Sequence, residues 1–220
     1  MTIRNRLTMT TLLSVTALGG LAGCKSAGDI VVDESVGVTA VRSSCPAVGI
    51  PDYTGDITLF RTPGVRTADN VDVVAAMTNV RSQCTENPDK VSSTVTFDVV
   101  ARRSDPRGAQ QVTLPYFVSV LRGGSAVVSK RVGNVTINFA DGEERATVQG
   151  HGSANLDAAA ATLPQEIRER ITRKRKAGDE DAALDPMADP EVRAALSSAN
   201  FELLVGFQLN QDQIAYNATR

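Results

Sequence analysis

The chain reads as a mainly β protein: an antiparallel sandwich of about seven strands, with a charged helical insertion ahead of the last strand. Three observations predict this. Apolar and polar residues alternate at a period of two in several segments between positions 57 and 149. Turn dipeptides punctuate those segments at roughly ten-residue spacing, as in sandwiches and barrels. The alternation then gives way to alanine-rich and charged stretches near position 157 and returns once, over Phe201, Leu203, Val205, Phe207 and Leu209. A small β-barrel is the alternative arrangement of the same strands.

The elements follow in order. Residues 25–44 hold few large apolar side chains and read as a tether, with 30–32 and 36–41 as candidates for a first strand. Residues 57–60 make a short strand, and 71–80 a second with Val71, Val73, Ala75 and Met77 on one face. Residues 94–103 send Val95, Phe97, Val99 and Ala101 one way and Thr96, Asp98, Val100 and Arg102 the other. Ser104-Asp105-Pro106-Arg107-Gly108 is a turn by its residue chemistry. Residues 112–121 set Val112, Leu114, Tyr116, Val118 and Val120 against a second face that includes Pro115. Proline has no N–H for a ladder, which predicts an edge or a bulge there. Gly123-Gly124 signals a hairpin, because both positions accept positive φ, and 126–132 returns as the partner strand. Residues 134–139 form a further strand with Val135, Ile137 and Phe139 inward. Asp141-Gly142 signals a second hairpin, leading into 145–149.

Residues 158–161 and 164–177 read as helices, with Pro164 at a first helical position and Gly178 as a C-terminal stop. Asp189 and Pro190 suit the N-cap and first position of another short helix. The insertion therefore covers 157–199 within a domain at 45–209, and the polar residues 210–220 read as a frayed tail. In strand count and alternation alone the body resembles fibronectin type III and immunoglobulin-like sandwiches. That resemblance implies two packed antiparallel sheets.

The N-terminus is the most specific part of the chain. Residues 1–7 carry Arg4 and Arg6 and no acid, and 8–20 are apolar and small, too short for a comfortable permanent membrane span. Residues 1–23 read as a signal peptide. Leu21-Ala22-Gly23-Cys24 resembles the lipobox of bacterial lipoproteins. The resemblance implies a diacylglyceryl group on the Cys24 sulfur, cleavage before Cys24 and usually acylation of the new amino group. Several acyl chains hold a protein at a membrane far longer than one. By the same resemblance, Lys25 in place of an aspartate implies the periplasmic face of an outer membrane, with 24–44 as the lipidated N-terminus and tether.

Cys24 aside, the chain's three cysteines leave Cys45 and Cys84. In an oxidising compartment two such cysteines read first as a disulfide. Two free thiols are the competing reading. A metal pair lacks a CxxC spacing and has only His151 to help it.

Composition excludes several functions. Removing Arg4 and Arg6 takes the formal charge from −2 to −4, which does not suggest nucleic-acid binding. Tryptophan is absent and aromatics make up 4%, which argues against a sugar-stacking groove. His151, in Gly150-His151-Gly152-Ser153, reads as an exposed loop histidine without a GxSxG elbow. Ser129-Lys130 puts its side chains on opposite faces of a strand. Glu143-Glu144 and Asp179-Glu180-Asp181 read as solubilising turn acids, and neither an EF-hand loop nor a phosphate-cradling glycine motif occurs. No catalytic set, metal or cofactor is predicted.

One surface stands out: Arg168, Arg170, Arg173, Lys174, Arg175 and Lys176 put six cations within nine residues. The plain reading is a solvated helix end folding against the acidic loop. The functional reading is a contact surface for anionic headgroups, acidic envelope groups or an acidic protein. Together these features lead to the expectation of a non-enzymatic, membrane-anchored envelope lipoprotein that binds another envelope protein as an accessory or assembly factor. A glycan- or lipid-binding module is the alternative, and an envelope hydrolase a weaker third.

Overall fold

The two-residue periodicity is realised as two four-stranded sheets packed face to face. The computed structural model describes residues 35–36, 43–176, 178–180 and 184–219, with side chains for 43–174, 178–180 and 184–219. Cys24, the signal segment and most of the tether lie outside the described residues. The strands are β1 (Ser35–Val36), β2 (Ala47–Gly49), β3 (Asp56–Phe60), β4 (Val71–Glu86), β5 (Lys90–Arg103), β6 (Gln110–Arg122), β7 (Ala126–Phe139), β8 (Arg145–Asp157), β9 (Arg175–Lys176) and β10 (Phe201–Phe207). The helices are α1 (Ala158–Ala161), α2 (Gln165–Thr172), α3 (Pro190–Ala199) and α4 (Gln211–Thr219).

One sheet runs β2-β10-β6-β7 and the other β3-β4-β5-β8. Pairing within them is antiparallel except where β2 lies parallel to β10. The chain changes sheets between β5 and β6 and again between β7 and β8, so the two faces of the core interleave in sequence. Val95, Phe97, Val99 and Ala101 of β5 are buried against Leu114 of β6 and Leu203, Val205 and Phe207 of β10. Burying each larger apolar side chain contributes about 1.5–3 kcal/mol. On β8, small inward residues let the sheets approach closely. A Cβ at Gly152 would lie 2.5 Å from Val118 of the facing sheet, and one at Gly150 would run into the Phe97 ring of the neighbouring strand, which lies across that glycine. The helical insertion carries a second small core in which Ile167 and Ile171 of α2 pack on Val192 of α3.

The structure has the predicted sandwich and insertion, and it corrects several details. The segments 126–132 and 134–139 are one continuous strand, β7, running through Gly133. Gly123 and Gly124 do make the β6–β7 turn at φ 64° and 76°. Asp141-Gly142 turns the chain, but not into a hairpin: β7 pairs with β6, and β8 pairs with β5 in the other sheet. Pro115 sits in central β6, without a bulge, because its side of the ladder falls just past the end of β10. There its carbonyl accepts from Gln208 N (2.9 Å). The helix over 164–177 is shorter than predicted: α2 stops at Thr172, and Pro164 is its N-cap. Asp189 caps α3 as predicted, accepting from Glu191 N.

The C-terminal tail is not frayed. Residues Gln211–Thr219 form α4, started by a reciprocal capping box in which Asn210 Oδ1 accepts from Gln213 N and Gln213 Oε1 accepts from Asn210 N (both 2.9 Å). The helix docks on β3: Tyr216 meets the Phe60 ring edge-on at 5.3 Å, and buried Asn217 donates to the carbonyls of Tyr53 and Asp56 (both 2.8 Å).

Candidate functional site

The two cysteines form the predicted bridge, Cys45–Cys84, with S–S 2.02 Å and Cα atoms 6.0 Å apart. It fixes the end of the tether to the far end of the β4–β5 hairpin. Glu86 on the same strand reinforces the junction: its carboxylate accepts from Ser43 Oγ (2.7 Å) and Ser44 N (2.9 Å). Those two donors, the hydroxyl first, hold the Glu86 carboxyl below its ordinary value, because they stabilise its charged form.

The six cations do not share a helix. Arg168 and Arg170 lie on α2, Arg173 is its C-cap, and Arg175 and Lys176 form β9. Four consecutive cations repel one another in any compact helical turn, and the extended form lets residues 175–176 pair with Ser35 and Val36 of the tether. Arg170 is bonded to Asp189 and Glu191 at the start of α3, so its partners include the cap of that helix. Those carboxylates raise the Arg170 pKa, Glu191 foremost. Arg168, Arg173 and Lys174 are exposed. An open groove of about 1040 Å³ separates α2 from α3, with Glu166, Glu169, Arg170, Arg173, Asp185 and Asp189 among its walls. A smaller hollow of about 390 Å³ lies between β3 and α4.

The candidate chemical residues are not brought together. His151 is not in a loop but exposed on β8, opposite Thr96, and its carbonyl accepts from the Tyr116 hydroxyl (2.7 Å). Ser153 lies two residues on along the same strand face, and neither residue lines the two hollows above. Glu143 and Glu144 are exposed in the β7–β8 turn, and Lys130 Nζ sits 4.9 Å from the Phe117 ring centroid. Among the described residues no group of three His, Cys, Asp or Glu side chains is placed to hold a metal ion. No described helix is long and apolar enough to cross a membrane.

The sheet edges are the feature that sequence reasoning missed. Of the four edge strands of the two sandwich sheets, β2 is three residues long and β3 is overlaid by α4. β8 gives its His151 carbonyl to Tyr116. What sets the first half of β7 apart is its exposed apolar surface. Residues 126–132 are exposed on both faces, and Val127, Val128 and Val132 are 62%, 52% and 58% accessible. A pattern of Val-Val-Ser-Lys-Arg-Val after a hairpin signal was available in the sequence, but whether that strand is central or an edge depends on which partners come from residues far away. Family models, curated proteins and solved structures were all compared with the chain, and none of them matches it.

Proposed function

We propose that the protein is a lipid-anchored envelope lipoprotein whose sandwich body binds another envelope protein, acting as a non-enzymatic accessory or assembly factor. The observation that carries this reading is the division of the cysteines. Cys45 and Cys84 are bonded to each other, which fits an exported chain, and the third, Cys24, ends the sequence that resembles a lipobox. Lys25 favours the periplasmic face of an outer membrane as the destination. An anchored body without its own enzymatic role would act through its surface, and the cationic segment at 168–176 and the free β7 edge are the surfaces on offer. The test has two parts. Cys24→Ala is expected to release the protein from membranes, and continued firm association would overturn the anchor. In-cell crosslinking of the anchored protein is expected to capture one envelope protein reproducibly; capture of abundant membrane proteins alone would overturn the accessory role.

A further inference from the structure

Among the described residues no strand pairs with the first half of β7 on the side away from β6, and that half has a definable binding chemistry. The direction of its backbone groups follows from β6. Pro115 turns its carbonyl toward β10, where it accepts from Gln208 N. N–H and C=O groups of one residue point the same way in a strand and reverse at each step. Phe117 and Ser119 therefore also face β10. Their β7 partners across the ladder are Val132 and Lys130, and Pro115's is Asn134. Lys130, Val132 and Asn134 thus direct their N–H and C=O groups away from β6, into the open edge. An irregularity at Val120/Leu121 shifts the register just before this stretch, and no acid occurs over residues 126–132.

Resting on the protein-binding reading above, we propose that this edge is a strand-addition site for an extended, acidic, β-branched segment of another protein. An added strand would take up the outward backbone groups of Lys130, Val132 and Asn134. Its β-branched side chains would cover Val128 and Val132. Its carboxylates, placed on opposite faces, would oppose Lys130 and Arg131. Charge decides against a second copy. A two-fold centred on Lys130 or Arg131 sets like charges directly opposite each other, and any other self-pairing gathers four cations on one ladder without an acid.

The test uses the purified, disulfide-bonded full chain in detergent. Its probe is a fluorescein-labelled peptide, Thr-Val-Glu-Glu-Thr-Val-Thr, whose adjacent Glu residues fall on opposite faces, read by anisotropy. A second probe carries Lys at each Glu position. The acidic peptide is expected to bind at least about tenfold more tightly than the basic one, and increasing salt should narrow the difference. Lys130→Pro removes an outward N–H while leaving the β6 ladder intact, and is expected to weaken acidic-peptide binding about tenfold, with a melting curve that stays cooperative and shifts only slightly through loss of the Lys130–Phe117 contact. The paired variant Lys130→Glu, Arg131→Glu, which keeps the backbone donors, should reverse the charge preference. Equal binding of both peptides, or parental binding by a folded Lys130→Pro variant, overturns the proposal. So does a parental dimer that Lys130→Pro dissociates, which would make the occupant a second copy. If peptide binding fails while in-cell crosslinking still captures one partner, the edge proposal falls and the accessory reading stands. If the peptides behave as expected and no partner is captured, the accessory reading falls instead.

Discussion

Arg103 continues the alternation of Val95, Phe97, Val99 and Ala101 into the core and is 1% exposed. Its guanidinium donates to the carbonyls of Glu143 (2.7 Å), Gly108 (2.7 Å), Pro106 (2.6 Å) and Ala140 (2.7 Å) and lies over the Phe139 ring. One side chain thus ties the β5–β6 loop to the β7–β8 turn, at the end of the sandwich where the chain changes sheets. Arg103→Met keeps much of the volume but strands four acceptors, and is expected to cost about 3 kcal/mol or more, measured by urea denaturation. Lys at this position has no planar fork to span four carbonyls and should recover only part of that loss. Glu86 gives a second residue-scale prediction. Its folded pKa is depressed, so its contribution is present above the unfolded value near 4.5 and lost as the pH falls through the lower folded value. Glu86→Gln should therefore lower the melting temperature at pH 7, and the difference from the parent should fade on acidification below 4.5. A pH-independent difference would mean that the carboxylate charge is not what holds the Ser43–Ser44 junction.

At the scale of elements, α4 covers the edge of β3. Asn217 occupies the Asp56 carbonyl at that edge and the Tyr53 carbonyl in the loop before it, and Tyr216 shields Phe60. Asn217→Ala should destabilise by about 1 kcal/mol, read by thermal melting, because two part-buried acceptors lose a donor. Removing residues 210–219 should expose β3 and promote aggregation, detectable by light scattering, as uncovered edges do. The N-cap at Asp189 links two helices in a similar way. Its carboxylate caps α3 and also holds Arg170 of α2, so one residue sets the geometry of the insertion. β7 is the contrasting element, half inside the core and half outside it with an open edge.

At the scale of the whole molecule, the Cys45–Cys84 bridge closes a separation of 39 residues and joins the tether to the β4–β5 hairpin. Reduction, or Cys45→Ser with Cys84→Ser, should lower stability by about 3–4 kcal/mol on the chain-entropy account. Urea midpoints with and without reductant check this, and equal midpoints would place the hairpin's stability elsewhere. Residues 35–36 of the tether meet the body at a second place, where β1 pairs with β9 in the cationic stretch of the insertion.

The sequence by itself determined which side chains face inward. The period-two faces of β5, β6 and β10 are buried as the alternation indicates, because a strand has only two faces and the core accepts apolar groups. It also determined the glycine turn at 123–124, the cap at Asp189 and, given export, the cysteine pair. Asn210 and Gln213 were legible too as a capping box, and Arg103 as an inward position, although their composition suggested a tail and a strand end. What only the tertiary structure decided was partnership between strands distant in the chain. Nothing near Asp141-Gly142 says that β8 returns to β5 rather than pairing with β7, and nothing near Pro115 says that β10 ends beside it. The same holds for the candidate surface. Residues 126–132 have the composition of an ordinary strand, and their edge is open because β10, arriving from residues 201–207, takes the other side of β6. Local sequence sets faces, whereas edges depend on long-range pairing.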